Sequence, residues 1–546
     1  MDLNQPRRNF FHVSIAAAGM MPLLGSAAVR LHPWTTAHTG PVAKGKPINT
    51  LFTKEIPMSN RIRPFINPLW VLSFLSALSL SCAWAAKEQS PQSVNMKLVG
   101  FSDLQGRTAY QPTIQKQGNR WIAYIGHHGD KKINSLNNKL EDNGTSIIDV
   151  TDPKHPQYLA HLPGEEGKAE QGGAQMVRIC SGATLPKADK SKFYMLRVFG
   201  NQAHEVWDVS EPAKPTLITT IGNGLKGTHK NFWECDTGIA YLVSGNPQWR
   251  TNRMTQIYDL SDPAKPVFIR DFGLVGQQPG AGGPVPISLH GPISTGPKGN
   301  RVFFGYGTNT EGVLQIVDRE KLLNGPKEPT PENLLYPQVS RLDLPPMHGA
   351  HTVFPMLGVD IPEFAHNYLG RVRDFIVVTD EAIQKECLEG RQMIWFVDIT
   401  TETKPFGVAN WTVPETKENF CAKGGRFGSH SSNENMTPIY YKKVMFFAHF
   451  NAGVRALDVR NPLSPKEIAY YIPPMNANTV ALLTPPGMQA PLPFTEASKK
   501  RAIQTNNVEV DERGLIYIVD RANSGMHILE LTGSARGVPD WSHVQK

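Results

Sequence analysis

Cysteine is scarce in this chain: there are five in 546 residues, and no two stand in a Cys-x-x-Cys spacing. That excludes a thiolate zinc knuckle and a dithiol redox pair. Gly-x-Ser-x-Gly is absent, and so is any calcium loop of alternating acids closed by a Glu. The glycine-rich stretches Gln171-Gly-Gly-Ala and Pro279-Gly-Ala-Gly-Gly283 lack the strand-then-helix setting and the spacing of nucleotide loops. Charged residues make up only 19% of the chain, and basic clusters interleaved with aromatics are missing, which argues against a nucleic-acid partner. Long apolar runs are missing too. The most apolar stretch, Leu69–Leu80, falls short of the roughly 20 residues of a membrane span, so no stable span is expected once it is cleaved. An apolar share of 40% excludes general disorder.

The net charge of +8 is concentrated at one end. Residues 1–85 hold Arg7, Arg8, Arg30, Lys44, Lys46, Lys54, Arg61 and Arg63 against Asp2 and Glu55, which leaves the remainder nearly neutral. Two export patterns follow one another there. Residues 1–57 open with Pro6-Arg7-Arg8-Asn9-Phe10-Phe11 and a weakly apolar run, the order of a twin-arginine signal, or else form an extension ahead of a true start at Met58. Residues 58–85 carry Arg61 and Arg63, the apolar run and Ala83-Trp84-Ala85, the order of a cleaved secretory signal. Both readings put 86–546 outside the cytoplasm, in a bacterial periplasm. In that oxidising compartment Cys180, Cys235, Cys387 and Cys421 are expected to form two disulfides, with three pairings open.

What the sequence has in quantity is a repeated phrase. It reads Ser146-Ile-Ile-Asp149-Val-Thr-Asp-Pro153, then Glu205-Val-Trp-Asp208-Val-Ser-Glu-Pro212, then Gln256-Ile-Tyr-Asp259-Leu-Ser-Asp-Pro263. It returns as Ile394-Trp-Phe-Val-Asp398-Ile-Thr400 and Val454-Arg-Ala-Leu-Asp458-Val-Arg-Asn-Pro462, with weaker copies at Leu314-Gln-Ile-Val-Asp318 and His527-Ile-Leu-Glu-Leu531. Each is a short strand, an Asp able to bond its own turn, and a Pro that ends the strand. A further strand follows, as at Gln157–Leu162, and two precede. Four short strands repeated seven times predict a single all-β domain over 86–546, a seven-bladed β-propeller of four-stranded blades. The last phrase lacks a following strand, while Met96–Phe101 reads as a fourth strand with nothing before it. An N-terminal strand therefore closes the ring. Turn-rich insertions at Gly164–Gly173, Gly276–Pro286, Asn324–Asn333, Lys385–Gln392 and Pro474–Lys500 supply lid loops.

These Ile/Val-Asp-Ser/Thr-Asp-Pro-x-x-Pro phrases resemble the LVIVD-repeat family of exported bacterial propellers, over nearly all of 94–531. The resemblance implies the fold and export, and it implies no particular activity.

Aligning the innermost strands by position gives Gln111, Gln175, His229, His290, His351 or His348, His430 and Asn506 at their starts. In a propeller these starts converge on the axis at one face, so four successive blades bring imidazoles to one mouth. Imidazoles without thiolates suit copper or iron, with zinc as the alternative. Glu234, Glu434 and Glu509, a few residues further along the same strands, are read as partners for the second imidazole nitrogens. In the loops after the second strands, Asp380 or Glu381 is read as a general base and Arg521 as an anion clamp, against the alternative that Asp380, Asp520 and Arg521 only hold turns and neighbouring blades together. The expected function is a periplasmic metal-dependent oxidoreductase acting on a small-molecule substrate. The alternatives are a metal-assisted hydrolase and a non-catalytic cell-envelope scaffold with a protein partner.

Overall fold

The computed structural model describes residues 91–482 and 499–545. The two export patterns at 1–57 and 58–85, and most of the insertion at Pro474–Lys500, lie outside the described residues.

The chain forms seven small antiparallel sheets in a ring, a seven-bladed β-propeller. Blade 1 comprises Ala109–Gln117, Arg120–Gly129, Gly144–Asp149 and Gln157–Pro163. Blade 2 begins with Val177–Ser181, blade 3 with Asn231–Trp233, blade 4 with Leu289–Ser294, blade 5 with Thr352–Asp360 and blade 6 with Ser431–Ser432. Blade 7 takes Thr505–Val510, Ile516–Asp520 and Met526–Leu531 from the C-terminal end, and its outer strand is Met96–Ser102. The ring thus closes on an N-terminal strand, as the repeat count requires. One strand was not legible beforehand: Gln92–Val94 pairs with Lys466–Ile472 as a fifth strand of blade 6, so the N-terminal segment fastens two blades.

The repeated phrase does what its residues dictate. The side chains of Asp149, Asp208, Asp259, Asp398 and Asp458 each accept a hydrogen bond from the backbone N–H two residues on, which turns the chain out of the third strand. In blade 4, Asp318 instead caps the short helix Arg319–Asn324 by accepting from Lys321 N–H. All seven blades carry a register shift between the third and fourth strands, a bulge that adds local twist at the rim.

The core is divided among the seven blade interfaces, each with its own apolar cluster. Between blades 3 and 4, for example, Tyr241, Val243, Phe272, Phe304 and Val317 pack together without solvent. At about 1.5–3 kcal/mol for each large apolar side chain removed from water, no interface is dispensable. Two disulfides reinforce the ring. Cys180–Cys235 ties the inner strand of blade 2 to the turn after the inner strand of blade 3, and Cys387–Cys421 ties a loop of blade 5 to the short 3-10 helix Phe420–Ala422 that follows the blade. Among the described residues no helix is long and apolar enough to cross a membrane.

Candidate metal centre at the propeller axis

The starts of the innermost strands meet as expected. The rings of His229, His290, His351 and His430 follow one another around the axis with centroid separations of 4.8, 3.7 and 4.3 Å. Tyr110 completes the circle, 5.2 Å from His229 and 6.0 Å from His430. All five side chains are buried. The backbone of neighbouring blades orients the imidazoles. His290 Nδ1 bonds the carbonyl of His351 at 2.9 Å, His430 Nδ1 bonds the carbonyl of Asn506, and His351 Nδ1 bonds Thr352 Oγ1 at 2.9 Å. A carbonyl can only accept, so the Nδ1 atoms of His290 and His430 carry the protons and their Nε2 lone pairs face inward.

The inward-facing atoms converge. His229 Nε2 lies 3.1 Å from His290 Nε2 and 3.1 Å from the Tyr110 hydroxyl. His351 Nε2 has no hydrogen-bond partner although its residue is wholly buried. Glu381 comes over the ring from the loop after the second strand of blade 5, with carboxylate oxygens 3.9 Å from His351 Nε2 and 3.6 Å from His430 Nε2. Donor atoms of His290, His351 and Glu381 all lie within 4.8 Å of one another. Tetrahedral ligands about 2.1 Å from an ion stand about 3.4 Å apart, so a small inward rotation closes this set on one cation. The donor chemistry, two or more imidazoles and a carboxylate, fits a transition metal.

Electrostatics agree with that use. Burial holds all four histidines well below their ordinary values, helped by Arg253 at His229, by His229 at His290, by His290 at His351 and by Arg521 at His430. They are neutral near pH 7, the form that ligates. Burial also pushes Glu381 up, against the opposing pull of Arg426 and Arg521.

A second carboxylate, Glu170, comes from Ala169–Ala174, an insertion strand that pairs with the end of the second strand of blade 1. Gly173 permits that pairing: its φ is +81°, and a Cβ there would lie 2.3 Å from the carbonyl oxygen of His127. Glu170 Oε1 is 2.8 Å from Arg521 Nη2 and 3.2 Å from His128 Nε2. Burial works against its charge, but His128, His229 and Arg521 outweigh burial and hold its carboxyl well below the ordinary range.

Several sequence-based assignments need correction. His348 is not part of the ring; its Nδ1 bonds Asp380 Oδ2 at 2.7 Å and its ring meets Trp395 edge-on. His351 is the axial residue. Asp380 stands outside the ring of histidines, in the turn-holding place of the alternative reading: its Oδ2 accepts from Met393 N–H and Trp395 Nε1 and meets His348 Nδ1, while its Oδ1 is buried without a partner. Glu381 is at the axis, as a candidate ligand. Arg521 does reach the mouth, where it bridges Glu170 and Glu381.

The three glutamates assigned to the imidazoles do not touch them. At about 3.3 Å of rise per residue the inner strands carry them toward the far end of the channel. Glu234 accepts from Arg319, Ser294, Thr237 and Tyr241, a buried clamp between blades 3 and 4. Glu434 is shared by Arg178 and Lys230. Glu509 accepts from the backbone N–H of Glu434 and Asn435. Lys230 lies below the histidines, reaching Glu434 Oε1 at 3.3 Å. It passes Gly291, where a Cβ would stand 2.9 Å from its Cδ.

No protein-family model matches the chain, and no curated protein does. Among solved structures it is similar to Chaetomium thermophilum Raptor, with 10% identity and a TM-score of 0.46, over 80% of this chain and 29% of that one. The likeness bears on no residue of the axial mouth.

Proposed function

We propose that this chain is an exported, metal-dependent enzyme, an oxidoreductase that handles a small molecule at the axial mouth. Copper or iron would be held by His290, His351, His430 and Glu381, with His229 beside them. The observation that carries this reading is the convergence of inward-facing imidazole nitrogens on one buried carboxylate, with His351 Nε2 left without a partner. A buried polar atom without a partner is costly, and a cation at this point relieves the cost for several atoms at once. When bound, such a metal supplies redox cycling or Lewis-acid polarisation of substrate. The chain's own residues fix the imidazole tautomers, keep the imidazoles neutral, and bring Arg426 and Arg521 to the Glu381 oxygen that also faces His430.

Export to a bacterial periplasm is part of the proposal. It is supported by the signal pattern at 58–85, by the resemblance to LVIVD-repeat propellers, and by two disulfides, which persist in oxidising compartments.

The test uses the full chain loaded separately with copper, iron and zinc, and incubated with pooled small-molecule extract. Oxygen uptake that depends on copper or iron and vanishes in a His351→Ala/His430→Ala variant is expected. Substrate turnover that continues unchanged without oxygen would replace oxidation by metal-assisted hydrolysis, and no metal-dependent turnover at all would sink the enzymatic reading.

A further inference from the structure

The four histidines of the ring are buried, so a solute reaches them only if a neighbour gives way. Of the charged side chains around the ring, Glu170 is the most exposed, at 23%, and it stands 3.6 Å from His229 Nδ1. Access from that side requires Glu170 to move.

Glu170 belongs to residues 164–173, Gly-Glu-Glu-Gly-Lys-Ala-Glu-Gln-Gly-Gly, inserted between the outer strand of blade 1 and the inner strand of blade 2. Apart from glycine, Ala169 is the only apolar residue of this strap, and none of its residues enters an apolar cluster. Its pairing with the second strand of blade 1 is interrupted. His128 stands opposite Gly173 and the next residue, Gly129, opposite Ala169, so Glu170, Gln171 and Gly172 bulge out together. Gly167 and Gly172 lie against one another beneath the bulge, where a Cβ on Gly172 would stand 2.7 Å from Gly167 Cα. Ala169 has a φ of +52°, in the left-handed region that a side chain disfavours, so the closed strap stores backbone strain.

The base of the strap is fixed. Glu165 accepts from Asn201 N–H and Gln202 Nε2 at 2.7 Å each, and it exchanges backbone hydrogen bonds with Gly173. The tip is held by polar contacts alone: Glu170 Oε1 meets Arg521 at 2.8 Å and His128 at 3.2 Å, and the Glu170 carbonyl accepts from Asn201 Nδ2 at 2.7 Å. Glu170 Oε2 is buried without a hydrogen-bond partner, so opening restores a hydration that the closed tip gives up. The blade 5 side of the mouth is fastened differently. There the loop behind Glu381 is tied by Cys387–Cys421 and by Glu389, which accepts from Ile383 and Gln384 N–H.

We infer that residues 166–172 are a gate over the axial mouth, hinged where Glu165 pairs with Gly173 and latched by the Glu170–Arg521 ion pair. Opening carries Glu170 off the histidines and admits a small solute. Lids are drawn from segments with few buried apolar contacts, and this strap has none. The gate belongs to the chain itself and stands whether or not the ring holds a metal.

The test is acylation of the metal-free full chain by diethyl pyrocarbonate, followed residue by residue by peptide mass spectrometry. Glu170→Gln is expected to speed labelling of His290 and His351 about tenfold or more, while Glu170→Asp, which keeps the charge, stays closer to wild type. Neither histidine is among the contacts of Glu170. Exposed His155 supplies the reference rate, and wholly buried His449 reports global unfolding. Equal rates at His290 and His351 in wild type and Glu170→Gln, or a Glu170→Asp as fast as Glu170→Gln, overturn the gate. Should His449 become labelled in the variants, hydrogen exchange in the wild-type chain decides. Exchange in 166–172 about tenfold or more faster than in the second strand of blade 1 sustains the gate, and equal protection overturns it.

Discussion

His351 Nε2 lies 3.9 Å from a carboxylate oxygen of Glu381 and makes no hydrogen bond. The two residues come from the same end of one antiparallel strand pair in blade 5, where Thr352 pairs with Thr379: His351 immediately precedes the inner strand, and Glu381 follows the second strand by two positions. Antiparallel pairing alone returns the chain to the mouth, which places a hard carboxylate over a ring of neutral imidazoles.

The choice of His351 over His348 is directly testable. A His348→Ala variant is expected to keep its metal content, while losing stability because the buried Asp380 loses a partner at 2.7 Å. Metal analysis and urea unfolding of the same preparation check both halves. Metal lost from His348→Ala and kept in His351→Ala would reverse the assignment.

Glu234 is a fastening between blades. It accepts from Nε and Nη2 of Arg319 and from three hydroxyls, of which those of Ser294 and Tyr241 are buried and that of Thr237 is half-buried. Glu234→Ala is expected to cost about 3–5 kcal/mol, since it strands a buried guanidinium, and to leave metal stoichiometry intact. Equilibrium unfolding in urea reads the first, and elemental analysis reads the second.

The Cys180–Cys235 bridge closes a segment of 55 residues between adjacent blades. Loop-closure entropy assigns such a link about 4 kcal/mol. A Cys180→Ala/Cys235→Ala variant is therefore expected to unfold at distinctly lower denaturant than wild type, and equal midpoints would refute the contribution.

Two buried groups give opposite pH responses. Burial raises Glu509 to about 8, so the native chain keeps this proton between about pH 4.5 and 8 while the unfolded chain has released it, and rising pH then favours unfolding. Relative to wild type, Glu509→Gln should gain about 1.4 kcal/mol per pH unit across that window. Burial lowers His204 to about 3, so the unfolded chain alone takes up a proton as pH falls from about 6.5 toward 3. Stability is lost in that direction, and His204→Gln should be spared by the same slope. Unfolding free energies measured against pH for each variant and wild type test both signs.

Much of this architecture is legible in the residues, because each third strand ends on an Asp that bonds its own turn and a Pro that cannot continue. The closing strand at Met96–Ser102 follows from one missing strand at each end of the count, whereas Gln92–Val94 is too short to carry a pattern. The histidines are visible because they recur at one strand position. Tyr110 is hidden by a register irregularity between Ala109 and Pro112, which brings it to the axis in place of Gln111. Glu170 comes from an insertion strand with no counterpart in the other blades, so repetition says nothing about it. Glu234, Glu434 and Glu509 were misread by sequence proximity, since a few residues along a strand lead away from the mouth.

The most direct test of the account is the metal content of the purified full chain, refolded or expressed with copper, iron and zinc supplied, beside a His290→Ala/His351→Ala variant shown by circular dichroism to keep its β structure. The account predicts about one metal per wild-type chain and less than about 0.2 in the variant. A wild-type value below about 0.2, or a variant that retains its metal, contradicts the axial centre.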